Sequence, residues 1–438
     1  MKKEFYRKMW YFTFPITLQL LITSGLSMID SVMVGKLGVD AIAAVGIANK
    51  YSQFLIVILQ GFASGATIFC AQFWGQKNLY GIKKIIFLVS QLVTLFSVAF
   101  ACITLIWTEK IVMLFSQDVG VTEQAIPFLQ LLAIGYLFTG LAMVFSVALK
   151  TIGQVRWPTV ISLATLLLNT GLNWLLIYGN GGFPQLGIKG AGLATLIARL
   201  MQALLLGGLL VKQGILRAEP QPDNGTTKNY FRITLPSIIN HLTWTLGDLV
   251  IFWLFTRIGT LPTAAIALID PLVFVFICVF SGISDASSVM IGNELGARNK
   301  TTALFNAKQF IKLTIGLSLV SCVLIYIGSP LILQLYAVTV ELETLVQQIL
   351  LVYVLILPFK NVNYVNNVGI LRVGGDTQYV MWLDTLVIWL WAIPITYFSI
   401  RLALPFPLIY LCACSHDILR ALIGIKRTQS KRWLRTII

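Results

Sequence analysis

The segment FWGQKN at 73–78 recurs as ELGARN at 294–299, an offset of 221 positions. Each copy follows a long apolar run. At the same offset Thr13 falls on Thr234, Pro15 on Pro236, Leu21 on Leu242, Gly38 on Gly259 and Gly61 on Gly282. At an offset of 222, ALKTIGQ (148–154) falls on ILRVGGD (370–376). Self-similarity over this distance marks a tandem duplication, and it governs how the rest of the chain is read.

Within each copy the apolar runs scarcely pause. Of 438 residues 57% are hydrophobic and 11% charged, against about 25% charged in an average soluble domain. The mean hydropathy is +0.85. So few charges cannot cover a water-facing surface, so lipid must face much of the molecule. Twelve runs lie near 9–35, 41–73, 82–106, 124–150, 156–179, 188–211, 229–256, 262–293, 303–328, 342–371, 377–400 and 405–425. At about 1.5 Å per residue each spans a hydrocarbon core of roughly 30 Å as a helix. Transmembrane β-strands would alternate in polarity, and these runs do not. The expected fold is an all-α integral membrane protein of twelve transmembrane helices. Residues 1–211 form an N-terminal six-helix lobe, 212–228 a polar cytoplasmic linker and 229–438 a C-terminal six-helix lobe. Six helices return the chain to its starting side, so the repeats are parallel, with a V-shaped cleft expected between the lobes.

The net charge of +15 would suggest nucleic acid in a soluble protein. Here the basic residues fall in alternate loops. Lys2, Lys3, Arg7 and Lys8 precede the first helix, Lys77, Lys83 and Lys84 follow the second, and Lys426, Arg427, Lys431, Arg432 and Arg435 end the series. The intervening loops hold Glu109, Asp118, Glu123, Glu341 and Glu343. This is the positive-inside pattern. It places both termini in the cytoplasm, explains the basicity as topology and leaves no role for nucleic acid. The basic start MKKEFYRKMW resembles a signal peptide, but the apolar stretch after it is too long and lacks a cleavage site, so it reads as a permanent helix. All six cysteines lie within apolar runs without metal-ligand or disulfide spacing, as small core residues do.

Polar residues at bilayer depth mark function, because an ionisable group there costs about 2.5–3.5 kcal/mol on insertion scales. The first helix carries Asp30, with Ser27 and Thr23 on its face and Gln19 and Pro15 lower down. Pro15 removes a backbone hydrogen bond and makes a bend there expected. Asn169 and Asn173 sit four apart on the fifth helix, Tyr136 lies on the fourth and Thr195 on the sixth. These can converge on Asp30 as a cation-coupling site, or hold the acid permanently as structural glue. Burial favours a protonated carboxyl and hydrogen bonds favour its anion; a balance of the two makes Asp30 a proton carrier. Asp30, Asn169 and Asn173 could instead hold sodium. In the second half Asn240, His241, Trp244 and Asp248 cluster on the seventh helix, and Asp270, Asp285, Asp384 and Asp417 lie on or near later ones. Asn240, His241, Trp244, Asp248 and Asp270, with Gln19, are the candidate substrate-cleft residues. His241 reads first as a satisfied core histidine and second as a proton relay.

Several segments carry a family resemblance. PITLQLLITSGLSMIDSVMVGKLGVDAIAAVG (15–46), QGFASGATIFCAQFWGQKN (60–78), NTGLNWLLIYG (169–179), GIKGAGLAT (187–195) and GILRVGGDT (369–377) resemble, in order, the multidrug and toxic compound extrusion (MATE) transporters. The resemblance implies a cation-coupled exporter whose first-helix acid binds a proton or sodium ion. Asp30 matches that acid, Pro15 the bending proline, and Tyr136, Asn169 and Thr195 its polar partners. Where many members carry further acids, this chain has Asn173, Trp244 and Asn361, which concentrates the expected coupling on Asp30 and favours protons.

The expected protein is therefore an antiporter, not an enzyme, with H+ or Na+ as coupling ion and no other cofactor. It exports amphipathic, cationic compounds by alternating access, as a monomer in the bacterial inner membrane. A lipid-linked precursor flippase would want a strongly basic cavity, whereas the bases expected here lie at the cytoplasmic edge. A membrane-embedded transferase would want a histidine–acid pair; His416 adjoins Asp417, but neighbouring positions on a helix point apart.

Overall fold

The computed structural model describes the backbone of residues 2–216, 224–333 and 339–438. The side chains of 26–28, 224, 270–272 and 331–333 also lie outside the described set. Among the described residues all regular structure is helical, and twelve helices are apolar and long enough to cross a membrane. They are α1 (Lys2–Gly35), α2 (Val39–Gly75), α3 (Leu79–Ile106), α4 (Val119–Thr151), α5 (Arg156–Tyr178), α6 (Ile188–Lys212), α7 (Asn224–Thr256), α8 (Thr260–Gly296), α9 (Lys300–Leu333), α10 (Val340–Leu371), α11 (Thr377–Arg401) and α12 (Phe406–Gln429). The apolar runs were found in order, and most helices extend a few residues past them. The helix is the only element that satisfies its own backbone in lipid, and nothing stops it at the water interface until a cap does. α1 thus begins at Lys2, where Lys8 pairs with Glu4 one turn back at 2.9 Å. A short helix at Thr108–Met113, absent from the sequence reading, sits between α3 and α4.

The duplication is visible in the backbone. Lys77 and Arg298 both adopt left-handed φ, 58° and 59°. In both copies the helix ends the same way: Asn78 N–H donates to the Phe73 carbonyl at 2.9 Å, and Asn299 N–H to that of Glu294 at 2.8 Å. The two asparagines then cap the next helices, Asn78 Oδ1 accepting from Gly81 N and Asn299 Oδ1 from Thr302 N. These bonds satisfy carbonyls and amides that a helix end leaves open. Gly153 and Gly375 likewise share a φ of 85°, accessible to glycine at little cost.

The chain divides into two compact units, Leu18–Phe231 and Met1–Thr17 with Arg232–Ile438. The division falls within α1, two residues past Pro15, and within α7. In the first unit α4 packs against α2, α3 and α6, and α5 against α6. Small residues permit this approach, as membrane helices require in the absence of a hydrophobic drive between them. A Cβ at Gly190 would lie 2.6 Å from the Leu176 carbonyl, and one at Gly140 would collide with Val93. In the second unit α8, α9 and α10 pack together, α12 lies on α10, and a core that includes Phe255, Ile349, Tyr353 and Phe406 fills between helices. Here the helices are irregular. α10 ends in a π-helical segment (Tyr364–Leu371), α11 has another (Ile388–Ala392), and α12 is interrupted at Ser415. Such turns re-aim side chains inside a helix and gather at functional sites.

Candidate functional site

In the first unit three helices converge on one hydrogen-bonded chain. Asn173 Nδ2 donates to Asp30 Oδ1 at 2.6 Å and to Asn169 Oδ1 at 3.1 Å, and Asn169 Nδ2 donates to Thr195 Oγ1 at 3.4 Å. Both asparagines are wholly buried. The chain thus runs from α1 through α5 to α6. The spacing of four brings Asn169 and Asn173 onto one face, and Tyr178 OH, donating to the Met33 carbonyl at 2.8 Å, ties the same end of α5 to α1. Asn173 Oδ1 is buried with no hydrogen-bond partner among the described residues. That open acceptor lies on the residue that holds Asp30, where a proton or a hard cation would add a bond.

Not every expected partner joins. Tyr136 belongs elsewhere: its hydroxyl lies 2.8 Å from Ser52 Oγ on α2, and Ser52 donates on to the Ala48 carbonyl. The expected convergence of Tyr136 on Asp30 is therefore not seen; α4 turns this side chain toward α2. Thr23 spends its hydroxyl on the Gln19 carbonyl at 2.8 Å, and Gln19 Nε2 reaches Ser146 Oγ at 3.1 Å. The side chain of Ser27 lies outside the described residues. α1 passes through Pro15 as one continuous helix.

One residue of this site was missed. Arg199, within α6, lines a narrow cavity with Ile22, Thr23, Ser162, Thr165 and Gln202. Its Nη1 donates to Gln202 Oε1 at 3.0 Å, and Gln202 Nε2 donates to Ser162 Oγ at 3.3 Å. Asp30 attracts it electrostatically. Its signal in the sequence is an arginine that interrupts the apolar run 188–211.

In the second unit the candidates fall into an ionic network. Arg420 Nε donates to Asp384 Oδ1 at 2.8 Å and Nη1 to Asp417 Oδ1 at 3.2 Å. Its guanidinium lies over Trp244, 4.2 Å from the ring centroid. Asn240 Nδ2 donates to Asp384 Oδ2 at 3.0 Å, and Asn363 Nδ2 to Asp417 Oδ1 at 3.0 Å. Arg372 donates to Asn240 Oδ1 and lies 3.2 Å from His241 Nε2. A guanidinium can only donate, so that nitrogen of His241 accepts, the behaviour of a satisfied core histidine. Buried bases therefore stand inside this unit, against the expectation that they keep to the cytoplasmic edge. His416 Nε2 lies 3.8 Å from Asp417 Oδ2. The expectation that these neighbours point apart fails: both stand on the first turn of the helical segment that resumes after Ser415, with their side-chain ends within 4 Å. Asp248 is exposed, and the Asp270 side chain lies outside the described residues.

The architecture is that of a polytopic membrane transporter, and comparison with known proteins specifies which. The MatE family model matches residues 15–175 and 236–398, one match per repeat. The chain belongs to this family, the MATE transporters. It is 23% identical over 389 residues to "Probable multidrug resistance protein NorM" of Thermotoga maritima, covering 85% of this chain and 81% of that protein. It is 27% identical over 352 residues to "FAD transporter" of Shewanella oneidensis, covering 78% and 76%. Its fold matches a crystal structure of the Vibrio cholerae MATE transporter VcmN in the bent form, with a TM-score of 0.89, 17% identity and coverage of 99% of each chain.

Proposed function

We propose that the protein is a cation-coupled antiporter that exports amphipathic organic compounds by alternating access, with protons favoured over sodium. The observation that carries this reading is the chain Asp30–Asn173–Asn169–Thr195. Protonating Asp30 turns its carboxyl from acceptor to donor. Asn173 must then present an oxygen where it now presents its NH2 group, and the change passes to Asn169 and Thr195. The helix that carries Asp30 also carries Ile22 and Thr23, which line the cavity. A proton taken up outside is thereby linked to the wall of that cavity, which at about 10 Å³ has room for a single water in this state, and Pro15 supplies a weak point at which α1 can yield. One charge entering down about 100 mV supplies roughly 2.3 kcal/mol, more than the ~1.4 kcal/mol that a tenfold gradient of an uncharged cargo needs; against a cationic cargo exchanged one for one the charges cancel, and the proton concentration gradient does the work. A cationic cargo was expected from Asp30, Asp248 and Asp270; the cavity described here is lined instead by Arg199, a charge of the other sign. A bacterial inner membrane, cytoplasmic termini and a monomer complete the reading, supported by the basic loops and the bacterial relatives.

The test is cargo-driven proton release from proteoliposomes, wild type beside Asp30→Asn, with and without sodium. The expected outcome is release with a cationic dye in wild type, independent of sodium, and silence in the variant. Equal traces would make Asp30 structural; dependence on sodium alone would exchange the coupling ion.

A further inference from the structure

The bases that follow α12 stand on a folded segment. Topology asks only for charge in a loop and needs no fixed conformation. Here residues 430–438 turn back from the end of α12 through a left-handed Lys431, with φ 59°. Trp433 is wholly buried, and its Nε1 donates to the Thr428 carbonyl at 2.9 Å. Thr436 Oγ1 donates to the Leu295 carbonyl, on the last turn of α8, at 3.1 Å. The turn between α10 and α11 leaves room for the segment. A Cβ at Gly374 would collide with the Trp433 carbonyl, and one at Gly375 would lie 2.7 Å from Ile437 Cγ2. α8, α10 and α12 are even-numbered spans, so these ends share one side of the membrane. Leu295 lies just past the apolar run 262–293. A segment bonded to it is therefore held at the depth of the lipid headgroups.

The held segment sorts its charges. Arg427 is turned inward: it donates to both oxygens of Asp376, at 2.7 and 3.1 Å, and lies over the Tyr379 ring. Lys426, Lys431, Arg432 and Arg435 are exposed. None of the described ion pairs includes Lys426, Lys431 or Arg432. Arg298 and Lys300, a few positions past Leu295, are exposed as well. The acids of this region are engaged elsewhere, Glu4 paired with Lys8 and Glu294 in the field of the same lysine. An excess of positive charge is thus fixed where headgroups lie.

We propose that this patch, Lys426, Lys431, Arg432 and Arg435 with Arg298 and Lys300, binds anionic phospholipids of the adjoining leaflet through their phosphate headgroups. Each base near an anionic surface adds to the attraction, and a guanidinium forks onto two phosphate oxygens. A zwitterionic headgroup carries its own cation and is disfavoured. Because the segment is already ordered, docking spends little on ordering it.

The probe lipids are phosphatidylglycerol and phosphatidylcholine, offered together to the purified full-length protein in detergent and counted on it by native mass spectrometry. Wild type should retain phosphatidylglycerol in preference. Lys431→Gln, Arg432→Gln and Arg435→Gln together should weaken that preference at least about tenfold. Lys2→Gln, Lys3→Gln and Arg7→Gln together remove as many charges elsewhere and should leave it intact. Arg432→Lys with Arg435→Lys keeps the charge and should keep the lipid, which separates loss of charge from loss of fold. Equal retention of the two lipids by wild type overturns the proposal. So does an equal loss in both triple variants, which would make the preference a property of total charge. Displacement of phosphatidylglycerol by free glycerol phosphate at equal strength overturns it too, since the patch would then be a site for soluble phosphate.

Discussion

At Asn173 a single amide serves two masters, the carboxylate of Asp30 and the carbonyl of Asn169. Replacing it by leucine keeps the volume near constant and removes both bonds. Two buried acceptors then lose a donor, at about 1–3 kcal/mol each. Asn173→Leu should therefore lower the melting temperature modestly and reduce cargo-driven proton release at least tenfold, read in the assay used for Asp30→Asn. Unchanged release would mean that Asp30 works without the chain. Asp30, Asn169, Asn173 and Thr195 were legible in the sequence because polar residues at bilayer depth are few and those spaced by four share a face. The same grounds point to Tyr136, which meets Ser52 instead, since residue type does not state the direction in which a helix faces.

α1 and α7 each carry a proline in the interior, Pro15 and Pro236, at equivalent positions of the repeat. Each removes a backbone donor and crowds the preceding turn. α1 nevertheless stays continuous, so the proline is a point of weakness and no break. Pro15→Ala restores the missing donor and stiffens the helix. It should raise or preserve the melting temperature while slowing cargo-driven proton release several-fold, a loss of rate without a loss of fold. A variant with faster release would show that bending at this position takes no part in the cycle. The π-helical segments of α10 and α11 and the interruption of α12 were invisible in the sequence. They depend on which neighbours press on a helix, and hydropathy runs unbroken across them.

The buried charges of the whole molecule are unevenly distributed. The first unit holds Asp30 and Arg199 within electrostatic reach of each other, whereas the second holds Arg372 and Arg420 with Asp384 and Asp417 in one network. Breaking a buried pair leaves an uncompensated charge and typically costs about 3–5 kcal/mol. Arg420→Met should therefore strand two carboxylates and lower the melting temperature sharply, and adding Asp384→Asn and Asp417→Asn should recover much of the loss. Failure of that rescue would show that Arg420 acts by packing on Trp244. The sequence by itself determined the twelve helices, the duplication and the membrane setting. These follow from how many apolar residues stand in a row and how far apart the copies lie, properties of a one-dimensional string. Only the tertiary structure decided which polar groups pair. It turned Tyr136 toward Ser52, brought His416 near Asp417 and surrounded Arg420 with acids while leaving Arg199 beside an amide. The physical reason is rotation: packing between helices sets the direction each polar side chain faces, and at bilayer depth, where water offers no alternative, that direction selects the partner.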